Sequence, residues 1–401
     1  MGDDANLQLA ELAAAVARAR VPGLVDVYLE RRADTCWRLE RGRIAGRETL
    51  LREGAAVRRD GVFHSTDGIE RAALASLLDL PARRIPPFAA AAFPPAPALE
   101  PLAAALPAGC RSVRWRWSWA VVVTTAGAVA IRRPPLAELT REDGVRSLSV
   151  WPPPATGAAP QAALEAARLR PGRHRLLFAP AASAVLVHEL FGHPLESDAM
   201  CGGGSPWAGR IGERLVDLPL DVTDDPTRAD LPGAFSSDDE GAPAQPRPLL
   251  RAGVLVGALA DAAGAAALGV PPGSARRAHV HVPPRPRISN LIASVAEPTP
   301  DPPRSEAAVE IAGLANGTVE PASGTVMLEV RTAFALRRGE RRRELRPFTL
   351  VGGLAAVRRG LLAAACPPEA SAEPGWCGKE GEIVPTGAAA PWLLVEGLEA
   401  R

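Results

Sequence analysis

Lysine is almost missing from this chain. Of 46 basic residues among 401, only Lys379 is not arginine, and there are one tyrosine, three methionines and 4% aromatics in total. Neither sign of charge dominates: 46 Lys and Arg face 45 Asp and Glu, for a formal net charge of +1. No basic cluster is interleaved with aromatics, so nucleic acid is not an expected partner. The densest basic stretch, Arg337-Arg338-Gly339-Glu340-Arg341-Arg342-Arg343-Glu344, lies between two strand-like segments and reads as a solvated hairpin tip. No apolar run reaches 18 residues, so no membrane span is expected. The start, Met1-Gly2-Asp3-Asp4, is acidic and lacks the pattern of a secretory signal. The five cysteines, at 36, 110, 201, 366 and 377, are few, odd in number and irregularly spaced. That argues against a disulfide framework and for a reducing cytoplasm.

What remains is Ala, Pro, Gly and Arg with 47% apolar residues, enough for a soluble chain of two or three domains. Residues 7–20 have helical spacing and predict an exposed helix. Period-two alternation over 25–30 and 36–40, then 54–58 and 61–64, predicts short strands, with a helix near 68–79. Residues 81–105 are dense in Pro and Ala and read as a connection. Ser112 to Trp119 alternates as a strand whose tryptophans belong to core or sheet surface. Gly144 to Trp151 predicts another strand and 160–168 a helix. Leu176 to Pro180 reads as a buried strand, and Pro180 to Gly192 as a helix apolar on nearly all sides. Strands are expected over 253–259, 306–311, 324–336 and 392–395, and one more helix over 354–362. The fold class is therefore α+β. A small N-terminal α/β unit (1–80) and a middle region with a Pro/Ala-rich connection and strands (81–172) precede a β-rich body (173–401) wrapped round one buried helix.

That helix carries His188-Glu189 and, after Leu190-Phe191-Gly192, His193. A His-Glu pair followed by a second His is how a helix offers two imidazoles to a metal and a carboxylate to its water. The histidines are five apart, however, which on a regular helix turns the second ring roughly 140° from the first. Gly192 and Pro194 bracket His193, so the helix is expected to end or bulge at Gly192 and bring His193 back toward His188. A third ligand is needed. Cys377 lies between Gly375 and Gly378, and Cys201 precedes Gly202-Gly203-Gly204. Glu196 and Asp198 can ligate as well, or can orient the imidazoles. Lys379 marks a position that calls for an ammonium rather than a guanidinium. Asp238-Asp239-Glu240 reads equally as a polar turn or a cleft wall. His279 and His281 read as alternate residues of a strand, commonly exposed, with a second metal as the sharper reading.

These stretches, in this order, resemble the TldD/PmbA family of metallopeptidases, and its TldD (catalytic) branch in particular. The resemblance rests on His188-Glu189-x-x-x-His193-x-Leu195-Glu196-x-Asp198, then Gly209-Arg210-Ile211-Gly212-Glu213. It continues through Asp238-Asp239-Glu240-Gly241-Ala242-Pro243-Ala244-Gln245 and Pro286-Arg287-Ile288-Ser289-Asn290. It ends at Cys377-Gly378-Lys379-Glu380-Gly381 and Val384-Pro385. It runs from about residue 175 to the end, with a weaker match over the first 75 residues and a middle shorter than the family's. The resemblance implies a Zn2+ site of His188, His193 and Cys377, with Glu189 as general acid/base for attack of zinc-bound water on a peptide carbonyl. It implies extended or unfolded peptides as substrate, with peptide maturation as one role. It also implies a homodimer, or a heterodimer with a related subunit that lacks the metal motif. Glu196, Asp198, Asp238, Asp239, Glu240, Arg287, Asn290 and Lys379 are expected around the ligands or along the substrate cleft. Two other readings are a partner subunit that binds peptide with a structural metal, and a zinc hydrolase of non-peptide amides.

Overall fold

The computed structural model describes residues 3–401 except 89, 91, 104–105, 143, 154–165, 321 and 366–371. Most of the helix expected over 160–168, and Cys366, lie outside the described residues. Alternating apolar and polar residues with Arg41-Gly42 and Asp60-Gly61 at positive φ build tight hairpins at the N-terminal end. Here α1 (Asp3–Ala19) leads into β1 (Leu24–Glu40), β2 (Arg43–Arg59), β3 (Val62–Asp67) and α2 (Arg71–Leu78). The short α3 (Glu100–Ala103) is followed by β4 (Cys110–Thr124), β5 (Gly127–Ile131), β6 (Leu136–Arg141) and β7 (Arg146–Val150). These strands form one sheet in the order β3-β2-β1-β4-β6-β7, with β5 beside β4. Strands from the 1–80 segment and the 81–172 segment thus share a sheet, joined where β1 pairs with β4.

Two expectations change here. The helix predicted to be exposed is amphipathic and buries Leu12, Ala13 and Val16 in the same core as Val121 and Val123 of β4. The two strands expected over 25–30 and 36–40 are one, unbroken through Arg31, Arg32 and Asp34. Its charges are paired rather than solvated: Arg31 with Glu53, Arg32 with Glu30, and Asp34 with Arg116. Trp115 and Trp119 are buried core residues, as expected.

The second half begins with β8 (Gly172–Arg173), β9 (Leu176–Phe178), α4 (Pro180–Phe191) and α5 (Ser197–Cys201). Next come β10 (Leu220–Asp224), β11 (Arg247–Arg251), β12 (Val254–Leu255) and α6 (Ala262–Leu268), then β13 (Ala275–Arg276), β14 (Arg285–Pro286) and β15 (Asn290–Val295). The chain continues through β16 (Val309–Glu320), β17 (Thr325–Arg337), β18 (Glu340–Leu345), β19 (Phe348–Gly353), α7 (Leu354–Arg359) and β20 (Leu361–Ala365). It closes with β21 (Ala372–Lys379), β22 (Glu382–Ala389), β23 (Trp392–Val395) and β24 (Glu399–Ala400). One sheet runs β20-β23-β9-β16-β17-β19-β24-β8, with β18 on β17, and another runs β12-β11-β10-β15-β22-β21. Helix α4 packs against β16, β23 and β9 of the first and β15, β22 and β21 of the second. Its apolar surface fills the largest core, with Leu186, Val187, Leu190 and Phe191 fully buried. The fold is α+β, a β-rich body round a buried helix, as its apolar circumference required.

Of the 253–259 segment only Val254–Leu255 is strand. His279 and His281 stand in a turn, not a strand, and face Glu382 and Asp67 respectively. The basic run does form a hairpin end, turning at Arg338-Gly339, with Arg341 reaching back to buried Glu310. Among the described residues no helix is long and apolar enough to cross a membrane.

Candidate metal centre

Pro180 at the first turn starts α4 without wasting a backbone donor, and Ser183 Oγ donates to the Phe178 carbonyl 3.1 Å away. The helix ends at Phe191. Gly192 has φ −94° and ψ −86°, and a 3₁₀ turn begins at His193. Gly192 is needed for space rather than for a left-handed backbone. A Cβ there would lie 2.4 Å from both the His188 carbonyl oxygen and Ile288 Cδ1. This tight break replaces the regular helical step and turns His193 back. The two rings sit edge to face with centroids 5.0 Å apart.

Cys377 arrives from β21, an edge strand hairpinned to β22 through Glu380-Gly381, both at positive φ. Gly375 and Gly378 do not serve close packing within the chain, since a Cβ at either would meet nothing within 4 Å. Arg287, 2% exposed, donates from Nη2 to the Cys377 carbonyl and fixes the strand beside the helix. The ligand atoms of His188, His193 and Cys377 all lie within 4.8 Å of one another, the one such trio among the described residues. Cys377 Sγ is 3.5 Å from His193 Nε2. Tetrahedral zinc, with bonds of about 2.3 Å to sulfur and 2.0–2.1 Å to nitrogen, separates such atoms by about 3.5 Å. The Cys377–His193 pair matches that spacing, and two imidazoles with a thiol form a donor set that suits a metal ion of zinc type. Cys201 is exposed on α5 and outside the trio.

Electrostatics favour the thiolate of Cys377. Burial alone would raise the thiol, but His193 and His188 hold it well below its ordinary value. Burial alone would lower the His193 imidazole, but Cys377 and Glu196 hold it well above its ordinary value. Burial pushes the Glu189 carboxyl up, while the two histidines pull the other way. Glu189 is 5% exposed, and Gly317 of β16 lies flat against it: a Cβ there would be 2.9 Å from Glu189 Cγ. No signal in the sequence pointed to Gly317.

A polar chain supports the imidazole. Glu196 Oε2 accepts from His193 Nδ1 at 3.2 Å and from Lys379 Nζ at 2.9 Å. Lys379 also donates to Asp198 Oδ1 at 2.8 Å and the Pro286 carbonyl at 3.2 Å. Glu196 and Asp198 therefore lie outside the His188, His193 and Cys377 trio, joined to it through His193 and Lys379. Burial alone would raise Glu196, but His193 and Lys379 bring its pKa down to about 2.

The remaining expected residues lie farther out. Asp238 accepts from the Glu240, Ala242 and Ala275 amides, while Asp239 takes the Arg277 amide and Arg133. Glu240 joins Arg58 to the Ala262 amide. Together they pin the first sheet to the body. Asn290 holds the 225–233 loop, accepting from Gly233 N and donating to the Asp225 carbonyl, each at 3.0 Å.

Residues 171–400 match the family described as the PmbA/TldA metallopeptidase C-terminal domain. A metalloprotease of Archaeoglobus fulgidus is 31% identical over 214 residues, 53% of this chain and 49% of that protein. The metalloprotease TldD homolog of Haemophilus influenzae is 30% identical over 226 residues, 53% of this chain and 45% of its own. The chain thus spans about half the length of the curated relatives it matches. The crystal structure of TldE from Thermococcus kodakarensis superposes with a TM-score of 0.67 at 15% identity, covering 94% of this chain and 98% of that one. A Thermotoga maritima structure gives 0.68 at 17%, covering 97% and 98%. At such identities the likeness is one of fold.

Proposed function

Because the chain belongs to the TldD/PmbA family of metallopeptidases, we propose that it is a zinc peptidase acting on extended, unstructured peptides. The carrying observation is the gathering of His188, His193 and Cys377 beside a buried glutamate. Zinc held by these three residues would supply Lewis acidity toward a peptide carbonyl and toward water. Glu189 takes the proton from the attacking water and returns it to the leaving amine. Its burial and elevated pKa suit both halves of that task. Glu196 keeps the His193 ring in one tautomer by accepting from Nδ1, leaving Nε2 toward Cys377. Lys379 keeps Glu196 charged and in place.

In this reading 173–401 carries the chemistry, and 1–80 with 81–172 forms the wall facing it. Assembly as a homodimer, or with a related subunit of TldE type, belongs to the same proposal, supported by the shared fold. So does a cytoplasmic site of action, supported by four free cysteines among the described residues. The test is cleavage of a panel of unstructured peptides against small non-peptide amides. Peptide cleavage that a chelator abolishes and added zinc restores is the expected result. Cleavage insensitive to chelation, or restricted to small amides, would refute it.

A further inference from the structure

The face of the β21–β22 hairpin opposite Cys377 borders a second, separate feature. Register places Trp376 against Pro385 and Gly378 against Ile383, so these residues point away from the face that carries Cys377 and Val384. Ile383 and Pro385 wall a cavity of about 40 Å³ between the body and the first sheet. Five arginines line it: Arg32, Arg116, Arg133, Arg276 and Arg277. The one carboxylate in its lining, Asp239, is already held by Arg133 and the Arg277 amide.

The charge does not balance. Arg32 has Glu30 at 3.0 Å, Arg116 has Asp34 at 2.7 Å, Arg133 has Asp239, and Arg277 has Asp26 at 3.6 Å. Arg276, 5% exposed, has no carboxylate within 4 Å among the described residues. It donates to the Ile288 carbonyl at 2.6 Å and lies 5.8 Å over the Phe235 ring, and Asp239 and Asp224 act on it only from farther away. Arg277 is 6% exposed, and its Nε and Nη2 have no hydrogen-bond partner, nor does Arg32 Nε. A buried guanidinium without a counter-charge is costly, and several unspent donors round one small space are more so. Burial and the neighbouring Arg133 and Arg287 push Arg276 down to about 10.

We propose that this cavity binds a small oxyanion, a single carboxylate or phosphate-type group. Planar guanidinium forks match the paired oxygens of such a group. The volume admits one group of that size, since a single water-sized sphere takes about 10–15 Å³. Arg116, stacked 5.1 Å over the Trp376 ring, links the cavity to the strand that carries Cys377. The oxyanion has two sources, a free ion or the carboxylate of a bound peptide.

The test is thermal unfolding of the full chain in sodium phosphate against sodium chloride of equal ionic strength. Saturating phosphate raises Tm of the wild type by about 2 °C or more. Arg276→Met removes the uncompensated charge, so it unfolds no earlier than wild type in chloride and loses the phosphate shift. Arg116→Gln, at the more open end, keeps its fold and halves the shift or more. A glutamate-containing peptide that competes with phosphate, where its glutamine counterpart does not, identifies peptide carboxylate as the occupant. Absence of competition by either peptide identifies the free ion. No phosphate-specific shift in the wild type, or an equal shift in both variants, overturns the proposal.

Discussion

Glu189→Gln will lower peptide turnover by about 10²–10⁴-fold while leaving the metal content of the protein close to that of wild type. The substitution keeps size and shape, which matters where Gly317 leaves no slack around the side chain. It removes only the ability to accept and return a proton. His188, His193 and Cys377 do not bond to the Glu189 carboxylate, so the ligand trio is preserved. A structural metal site has no use for a buried carboxylate whose pKa is raised by desolvation. Wild-type turnover in Glu189→Gln, with metal retained, would remove the general acid/base role and leave the residue as packing.

Lys379→Met will cost about 3 kcal/mol of stability, because it leaves Glu196 buried with one partner fewer. Glu196 is 2% exposed, and the Lys379 side chain is only 14% exposed, so solvent does little to replace the ammonium. The carboxyl has a folded pKa of about 2 against an ordinary 4.5. A depressed carboxylate contributes stability that is fully present above 4.5 and is lost as pH falls toward 2. The difference between wild type and Lys379→Met will therefore be largest near neutrality and shrink across that acid window. Urea unfolding at pH 7 and at pH 3–4, with equal metal loading, measures it. Lys379→Arg will not restore the loss, since the ammonium meets Glu196, Asp198 and the Pro286 carbonyl in three directions that a planar fork cannot follow. A pH-independent difference, or full rescue by arginine, would show that Lys379 acts by packing alone.

The one lysine was visible in the sequence because the chain otherwise writes every cation as arginine, and its three oxygen partners give that choice a cause. The helix break was legible too: five-residue spacing cannot present both rings from a regular helix, and Gly192-His193-Pro194 supplies the break. Cys377 is different. It lies 184 residues from His193, and no local pattern connects them; the resemblance to a family did so. Strand β1 is not legible as one element because the apolar–polar alternation lapses over Arg31-Arg32-Ala33-Asp34, where ion pairs satisfy the charges. His279 and His281 alternate like strand residues, but they stand in a bend and turn just before Pro283-Pro284. The arginine-lined cavity was illegible for a related reason. Its five members come from β1, β4, the 132–135 connection and β13 with its next residue, and scattered arginines in an arginine-rich chain carry no local signal.

The central claim is that His188, His193 and Cys377 hold one metal ion, and metal content per chain addresses it most directly. Elemental mass spectrometry on untagged wild type and on Cys377→Ala, purified alike, should find about one zinc per chain in the first and a clear loss in the second. Undiminished zinc in Cys377→Ala, or none in wild type even after zinc is supplied, would contradict the account.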